Sequence, residues 1–88
     1  MPVSVTQIAD EAFADVGMRK AVIPASCSWI GSRAFADNPG LIALYLPADV
    51  TFPENAFDND ALLVLYAPPG GQTEKLAHKY GIPFISME

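Results

Sequence analysis

Cys27 and His78 are the side chains with the most obvious chemical potential, because a thiol beside an imidazole can act as an activated nucleophile. They are the only cysteine and the only histidine in a chain of 88 residues. The surrounding pattern places them apart: Cys27 takes a position that is valine in two equivalent stretches, at Val5 and Val50, which predicts a small buried side chain. His78 falls in a predicted C-terminal helix. We therefore predict no catalytic residues, no cofactor and no enzyme.

Acidic residues are the second candidate group, since carboxylates ligate metal ions. Asp58-Asn59-Asp60 is partly similar to a calcium loop, but the glycine and the distal glutamate of an EF-hand are missing. We expect solvated turns that favour solubility, and no metal site. An acidic edge formed by aligned loops is the alternative. The acids that cluster around the loops are Asp10, Glu11, Asp15, Asp37, Glu54, Asp58 and Asp60.

These residues lie within an internal repeat. The segment Ile8-Ala-Asp-Glu-Ala12-Phe13 returns at Ile30–Phe35 and again at Phe52–Phe57, each time after 22 residues. A fixed period between 20 and 30 residues is typical of a solenoid, in which each repeat forms one coil. Because a single coil cannot bury its own apolar face, neighbouring coils must stack. We predict that Phe13, Phe35 and Phe57 form an internal ladder.

An apolar block ending in proline follows each phenylalanine. The three blocks begin at Met18, Leu41 and Leu62 and follow the pattern apolar-x-x-apolar-x-apolar-Pro. Alternation in the last four residues predicts half-buried strands that proline ends, since it has no N–H to donate. The expected inward residues are 21, 23, 44, 46, 65 and 67, and the expected outward residues are Val22, Tyr45 and Tyr66. Residues 10–14, 32–36 and 54–58 are predicted to form single helical turns.

The two ends of the array differ. Thr73 is predicted to cap a helix that ends at Gly81, and residues 82–85 are predicted to form a last short strand, which together close the C-terminal end. At the other end, Pro2–Val5 matches Pro24–Cys27, so the array is expected to begin in mid-coil. Two explanations stay open: the chain is cut from a longer array, or a second copy covers this end through self-association.

The motifs Ile-Gly-x-x-Ala-Phe, Leu-x-x-Leu-x-Leu-Pro and a terminal Gly-Gly-x-Thr…Tyr-Gly-Ile-Pro-Phe together resemble the BspA-type leucine-rich repeats, with residues 30–47 as the best match. The resemblance implies one α/β domain over 1–88: a right-handed leucine-rich-repeat solenoid with short parallel strands on its concave face and helical turns opposite. Its repeats would span 5–24, 27–47 and 50–68, with a cap at 69–88. Phe52-Pro53 departs from the Ile-Gly pattern, which predicts a stiffer turn there.

The same resemblance implies an adhesion or protein-binding role at a bacterial cell surface, and it brings no catalytic or cofactor residues. The net charge of −5 and five scattered bases argue against nucleic acid as a partner. We expect no membrane span, because no run of about 18 apolar residues is present. Met1–Val5 lacks the basic and apolar segments of a signal peptide, so none is expected in this chain.

The proposed contact surface follows from stacking. Outward residues of neighbouring strands lie about 4.8 Å apart, so one small patch is expected. Its members are Lys20, Val22, Ala43, Tyr45, Val64 and Tyr66. Trp29 is a second candidate, either as an exposed anchor or as packing over the coil edge. We expect a non-catalytic module that binds a protein or a surface polymer. The alternative is a structural stalk or terminal cap without a ligand of its own.

Overall fold

A computed structural model describes residues 5–87, and they form a small α/β structure with parallel strands in two sheets and one α-helix. The expected match of Pro2, Val3 and Ser4 to the second repeat concerns residues outside the described ones. The elements in chain order are β1 (Gln7–Ile8), β2 (Lys20–Val22), β3 (Trp29–Ile30), β4 (Ala43–Tyr45), a 3₁₀ helix (Glu54–Phe57), β5 (Val64–Ala67), α1 (Gln72–Tyr80) and β6 (Phe84–Ser86).

The larger sheet has the strand order β2-β4-β5-β6, and the smaller one pairs β1 with β3. All described pairs are parallel, and those between repeats join equivalent residues, such as Ile8 with Ile30. The N–H of Ile23 donates to Tyr45 O (2.7 Å) just beyond β2, and Pro24 then has no N–H to continue the ladder. The predicted parallel pairing of the proline-ended segments is confirmed.

Besides the hydrogen bonds of the two sheets, a third set of backbone hydrogen bonds joins the turns that contain the Ala-Phe pairs. The N–H of Phe13 donates to Ala34 O (2.8 Å), and the N–H of Phe35 donates to Ala56 O (2.9 Å). The backbone repeats as well, since Asp15, Asp37 and Asn59 all have positive φ, at 53°, 59° and 65°. Asp and Asn tolerate this left-handed conformation better than most residues. Equivalent residues of neighbouring repeats are thus tied together at three places.

The core lies between the two sheets and the row of Ala-Phe turns. Phe35 is completely buried, and its ring stacks on Phe13 (centroids 5.4 Å apart) and on Phe57 (5.9 Å). The predicted phenylalanine ladder is therefore confirmed. The inward strand positions are also confirmed: Ala21 is half-buried, and the buried members are Ile23, Leu44, Leu46, Leu65 and Ala67.

Two of the three predicted helical turns are wrong. Residues 10–14 and 32–36 form hydrogen-bonded turns in which Glu11 and Arg33 have positive φ, so neither continues as a helix. Only the third stretch is helical, as the 3₁₀ helix Glu54–Phe57. Pro53 precedes it with φ −78°, where the second repeat has Gly31. Pro53 is the N-cap residue and has extended backbone (ψ 165°), so it lies just outside the helix, where its missing N–H breaks no helical hydrogen bond.

The third apolar block begins one residue later than the sequence pattern indicates. Leu41 N–H donates to Asn38 O (2.9 Å) and Leu63 N–H donates to Asp60 O (3.1 Å), so Leu41 and Leu63 are the equivalent pair. Leu63 is buried, whereas Leu62 is 63% exposed. The predicted equivalence of Leu62 with Leu41 is wrong. The third repeat has one residue fewer than the second between the turn that begins at Asp60 and the strand β5.

The C-terminal helix forms as predicted, but its start differs. α1 begins after Gly71, and Thr73 lies inside it, completely buried. The Thr73 hydroxyl donates to Pro47 O (2.6 Å) and accepts from Val50 N–H (3.1 Å), so it ties the helix to the preceding repeat and does not cap it. Gly81 ends the helix with φ 71°, as expected of a C-terminal glycine.

Gly31 lies against the backbone of the first repeat, with no room for a side chain. A Cβ on Gly31 would lie 2.6 Å from the backbone N of Asp10 and 2.8 Å from the carbonyl carbon of Ala9. Because backbone atoms form this contact, a side-chain rotation cannot relieve it. Gly40 lies in an open place, where the nearest atom to an added Cβ would be Met18 O at 4.0 Å.

We predict that Gly31→Ala destabilises the protein by at least about 2 kcal/mol, since overpacking against backbone forces the repeats apart. Gly40→Ala is the matched control and should change stability by less than about 1 kcal/mol. Urea denaturation followed by circular dichroism measures both. Equal stability of the two variants would contradict the close packing of residues 9–10 on residue 31.

Candidate interaction surface

The outward face of the larger sheet carries a line of apolar and aromatic side chains. The strand register places Val22 beside Tyr45, Tyr45 beside Tyr66, and Tyr66 beside Ile85. We call these four residues the tyrosine row. Val22 is 65% exposed and Ile85 is 51% exposed, while the two tyrosines are half-buried. The row therefore crosses all four strands of the sheet.

The two tyrosines pack against each other at the middle of the row. Their ring centroids are 5.0 Å apart and their planes differ by 23°, which is a stacked arrangement. Parallel strands hold equivalent side chains at about the strand spacing, so this contact follows from the register. Stacking restricts both rings, and a restricted ring loses little further freedom when a partner binds.

A second outward line lies beside the tyrosine row and consists of Lys20, Ala43 and Val64. Lys20 is exposed and Val64 is half-buried, but Ala43 is only 8% exposed and offers little surface. Of the residues expected in the patch, the structure thus joins Lys20, Val22, Tyr45, Val64 and Tyr66 on one face. Lys20 is the only charged residue in these two lines.

Two acidic residues of the turns, Asp37 and Asp58, bind the same arginine. Arg33 binds Asp37 at 2.7 Å and Asp58 at 3.1 Å, and the Asn59 amide donates to Asp37 (2.6 Å). These groups are partly exposed, so each ion pair stabilises the fold by about 1 kcal/mol or less. Their role is to fix the turns of the second and third repeats.

Trp29 lies apart from the tyrosine row. It belongs to the smaller sheet, between Gln7 and Thr51, and it is 43% exposed. Both expectations for this side chain, an exposed anchor and packing over the coil edge, stay open, since less than half of it is exposed. Trp29 does not extend the tyrosine row, because the two sheets are separate.

Cys27 and His78 lie in different surroundings. Cys27 is buried, with its Sγ 3.4 Å from Trp29 O, whereas His78 is exposed on α1 next to Glu74 and Phe84. Within residues 5–87, no three His, Cys, Asp or Glu side chains are grouped to hold a metal ion. The described surface also contains no pocket.

Ile85 is the member of the row that the sequence does not reveal. Residues 82–85 are predicted to form a short strand, but their pairing with β5 cannot be deduced because this segment is not part of the repeat. Ile42 and Leu62, which are 52% and 63% exposed just before β4 and β5, are also not predicted as exposed. The alternation of apolar and polar residues predicts which side of the sheet a residue faces only within a strand. Ile42 and Leu62 lie outside the strands, so the pattern does not predict their exposure.

Comparison with protein-family models, with curated proteins and with solved structures found no match to this chain. Across residues 5–87, we find no helix with the length and apolar character needed to cross a bilayer.

We predict that Trp29, the only tryptophan, keeps substantial solvent contact in the folded protein, since 43% of it is exposed. Its emission maximum should move only slightly to the red on unfolding, and acrylamide should quench it in the native state. Fluorescence in buffer and in concentrated urea makes this comparison. A large red shift together with protection from acrylamide would contradict the exposed placement.

Proposed function

We propose that the three repeats are coils of a right-handed solenoid of the BspA-type leucine-rich-repeat class. The support is the pairing of equivalent residues in three places: β1 with β3, the turns around Phe13, Phe35 and Phe57, and β2 with β4 and β5. Stacked coils require this regularity, since each coil buries its apolar face only against its neighbours. α1 and β6 then cover the last coil.

On this scaffold, the protein is a non-catalytic binding module whose contact surface is the tyrosine row with Lys20 and Val64. The observation that carries this proposal is the stacked pair Tyr45–Tyr66, with exposed Val22 and Ile85 on either side. Tyrosine is enriched at protein interfaces, where a ring supplies apolar area and a hydroxyl supplies a hydrogen bond. Rigid strands hold these groups in fixed positions, so binding costs little ordering entropy.

The shape of the surface indicates the kind of partner. The tyrosine row is open and continuous, so it suits an extended protein segment or a surface polymer better than a small molecule that needs a pocket. A contact of four residues is smaller than a typical stable interface of about 800 Å² per partner. Tight binding then requires further contacts or several modules acting together. The family resemblance supports a cell-surface, extracellular setting.

A structural stalk or terminal cap is the rival role, and it assigns no partner to the tyrosine row. Under that role, Val and Tyr occupy outward strand positions only because they suit strands. Four adjacent apolar or aromatic outward residues, two of them more than half exposed, favour a contact surface over this explanation.

We predict that Tyr45→Ala combined with Tyr66→Ala leaves the protein folded and weakens ligand binding by at least about 10-fold, as expected for loss of two central aromatic contacts. Peptides from a displayed random library, selected on the wild-type protein, provide the ligands. Isothermal titration calorimetry with these peptides then compares the variants, after circular dichroism has confirmed the fold of each.

The matched control is Val16→Ala with Leu62→Ala, which removes two exposed apolar side chains outside the tyrosine row. This control should bind the peptides as the wild type does. A library that yields no ligand, or ligands that bind the double tyrosine variant unchanged, would argue for the stalk or cap.

A further inference from the structure

Asn38 is a completely buried polar side chain that connects two repeats. Its Oδ1 accepts from the N–H groups of Val16 and Met18, each at 3.1 Å. Its Nδ2 donates to Phe13 O and Phe35 O, each at 2.9 Å, with Ala36 O at 3.2 Å. One amide therefore uses both its acceptor and its donor to bind backbone groups of the first and second repeats.

Asp60 is the equivalent residue one repeat later. It begins the same turn, with its carbonyl accepting from Leu63 as that of Asn38 accepts from Leu41. Its Oδ1 accepts from Asn38 N–H (2.8 Å), but its Oδ2 is buried without a hydrogen-bond partner. An ionised carboxylate has no hydrogen to donate, so it cannot reproduce what the Asn38 amide does. The equivalent carbonyls belong to Phe35, Phe57 and Asp58, which already accept from Asn38 Nδ2, Asp60 N–H and Asp37 N–H respectively. A carbonyl oxygen has two lone pairs, so each can accept one further hydrogen bond.

We propose that Asp60 is a pH-sensitive lock of the third repeat: a proton on Oδ2 makes its carboxyl a donor, as in the Asn38 amide, so the repeat is held more tightly in mild acid. In the protonated form, Oδ1 keeps its bond from Asn38 and Oδ2–H supplies a donor to the backbone. In the ionised form, a charged oxygen is left buried without a partner, which is costly.

The surroundings of Asp60 favour the protonated form. The pKa of this carboxyl is raised to about 6: burial is the largest cause, the negative charges of Asp37 and Asp58 add to the rise, and the hydrogen bond from Asn38 opposes it. Arg33 binds both of those acids, so it partly offsets their charge. Asp37 and Asp58 are the charged groups that act directly on Asp60 among the residues that the structure describes.

The sign of the effect follows from linkage. Asp60 holds its proton in the folded state up to about pH 6, whereas in the unfolded chain it loses the proton near 3.8, the ordinary pKa of an aspartate. Its contribution to stability is therefore full below about pH 4 and is lost as the pH rises through 6.

The test compares the wild type with Asp60→Asn at pH 5.0 and pH 7.5, with urea unfolding as the readout. In the wild type, the loss of the Asp60 proton should make the equilibrium constant for unfolding about 10-fold larger at pH 7.5 than at pH 5.0. Asp60→Asn carries a permanent donor, so the pH dependence that Asp60 causes should be absent from this variant. At pH 7.5 its free energy of unfolding should therefore exceed that of the wild type. The other titratable groups are common to the two proteins, so their contributions cancel in the comparison apart from the coupling of Asp60 with Asp37 and Asp58.

Glu54→Gln is the matched control, since it removes an exposed acid from the same repeat and should keep the wild-type pH dependence. A ¹³C NMR titration of the Asp60 carboxyl in the wild type adds a measurement that does not depend on the variant folding, and we expect a midpoint near 6. A midpoint below about 4.5, or an Asp60→Asn protein with the wild-type pH dependence, would overturn the proposal.

Discussion

Hydrogen bonding between residues one repeat apart is the constraint on which the rest of the structure depends. The backbone of each repeat donates to the next one at its strands and at its Ala-Phe turn, as Phe13 does to Ala34. Once this register is fixed, equivalent side chains must lie at the spacing of neighbouring strands. The phenylalanine ladder, the tyrosine pair and the tight contact at Gly31 all follow from it.

The repeated parts of the fold could be predicted from the sequence. Phe35 could be placed between Phe13 and Phe57 because all three share one position in the 22-residue period, and Tyr45 could be placed beside Tyr66 because both share one position in the apolar block. A period determines which residues are equivalent, and burial of one face determines which side they occupy.

Predictions failed where a repeat changes length or local conformation. The third block carries two leucines side by side, so apolarity alone could not show that Leu63 is buried and Leu62 exposed. Thr73 fitted a helix cap by residue type, but its hydroxyl bonds Pro47 in a distant part of the chain. Such contacts depend on three-dimensional neighbours. The pairing of Ile85 beside Tyr66, which completes the tyrosine row, depends on them in the same way.

Stacking of equivalent side chains is tested most directly by nuclear Overhauser effects between aromatic ring protons. Rings with centroids 5.4 and 5.9 Å apart bring their protons close enough to give cross-peaks, so Phe35 should show them to both Phe13 and Phe57. Tyr45 and Tyr66 should likewise show cross-peaks to each other. Direct cross-peaks between Phe13 and Phe57, or their absence between Phe35 and either ring, would contradict the stacked arrangement.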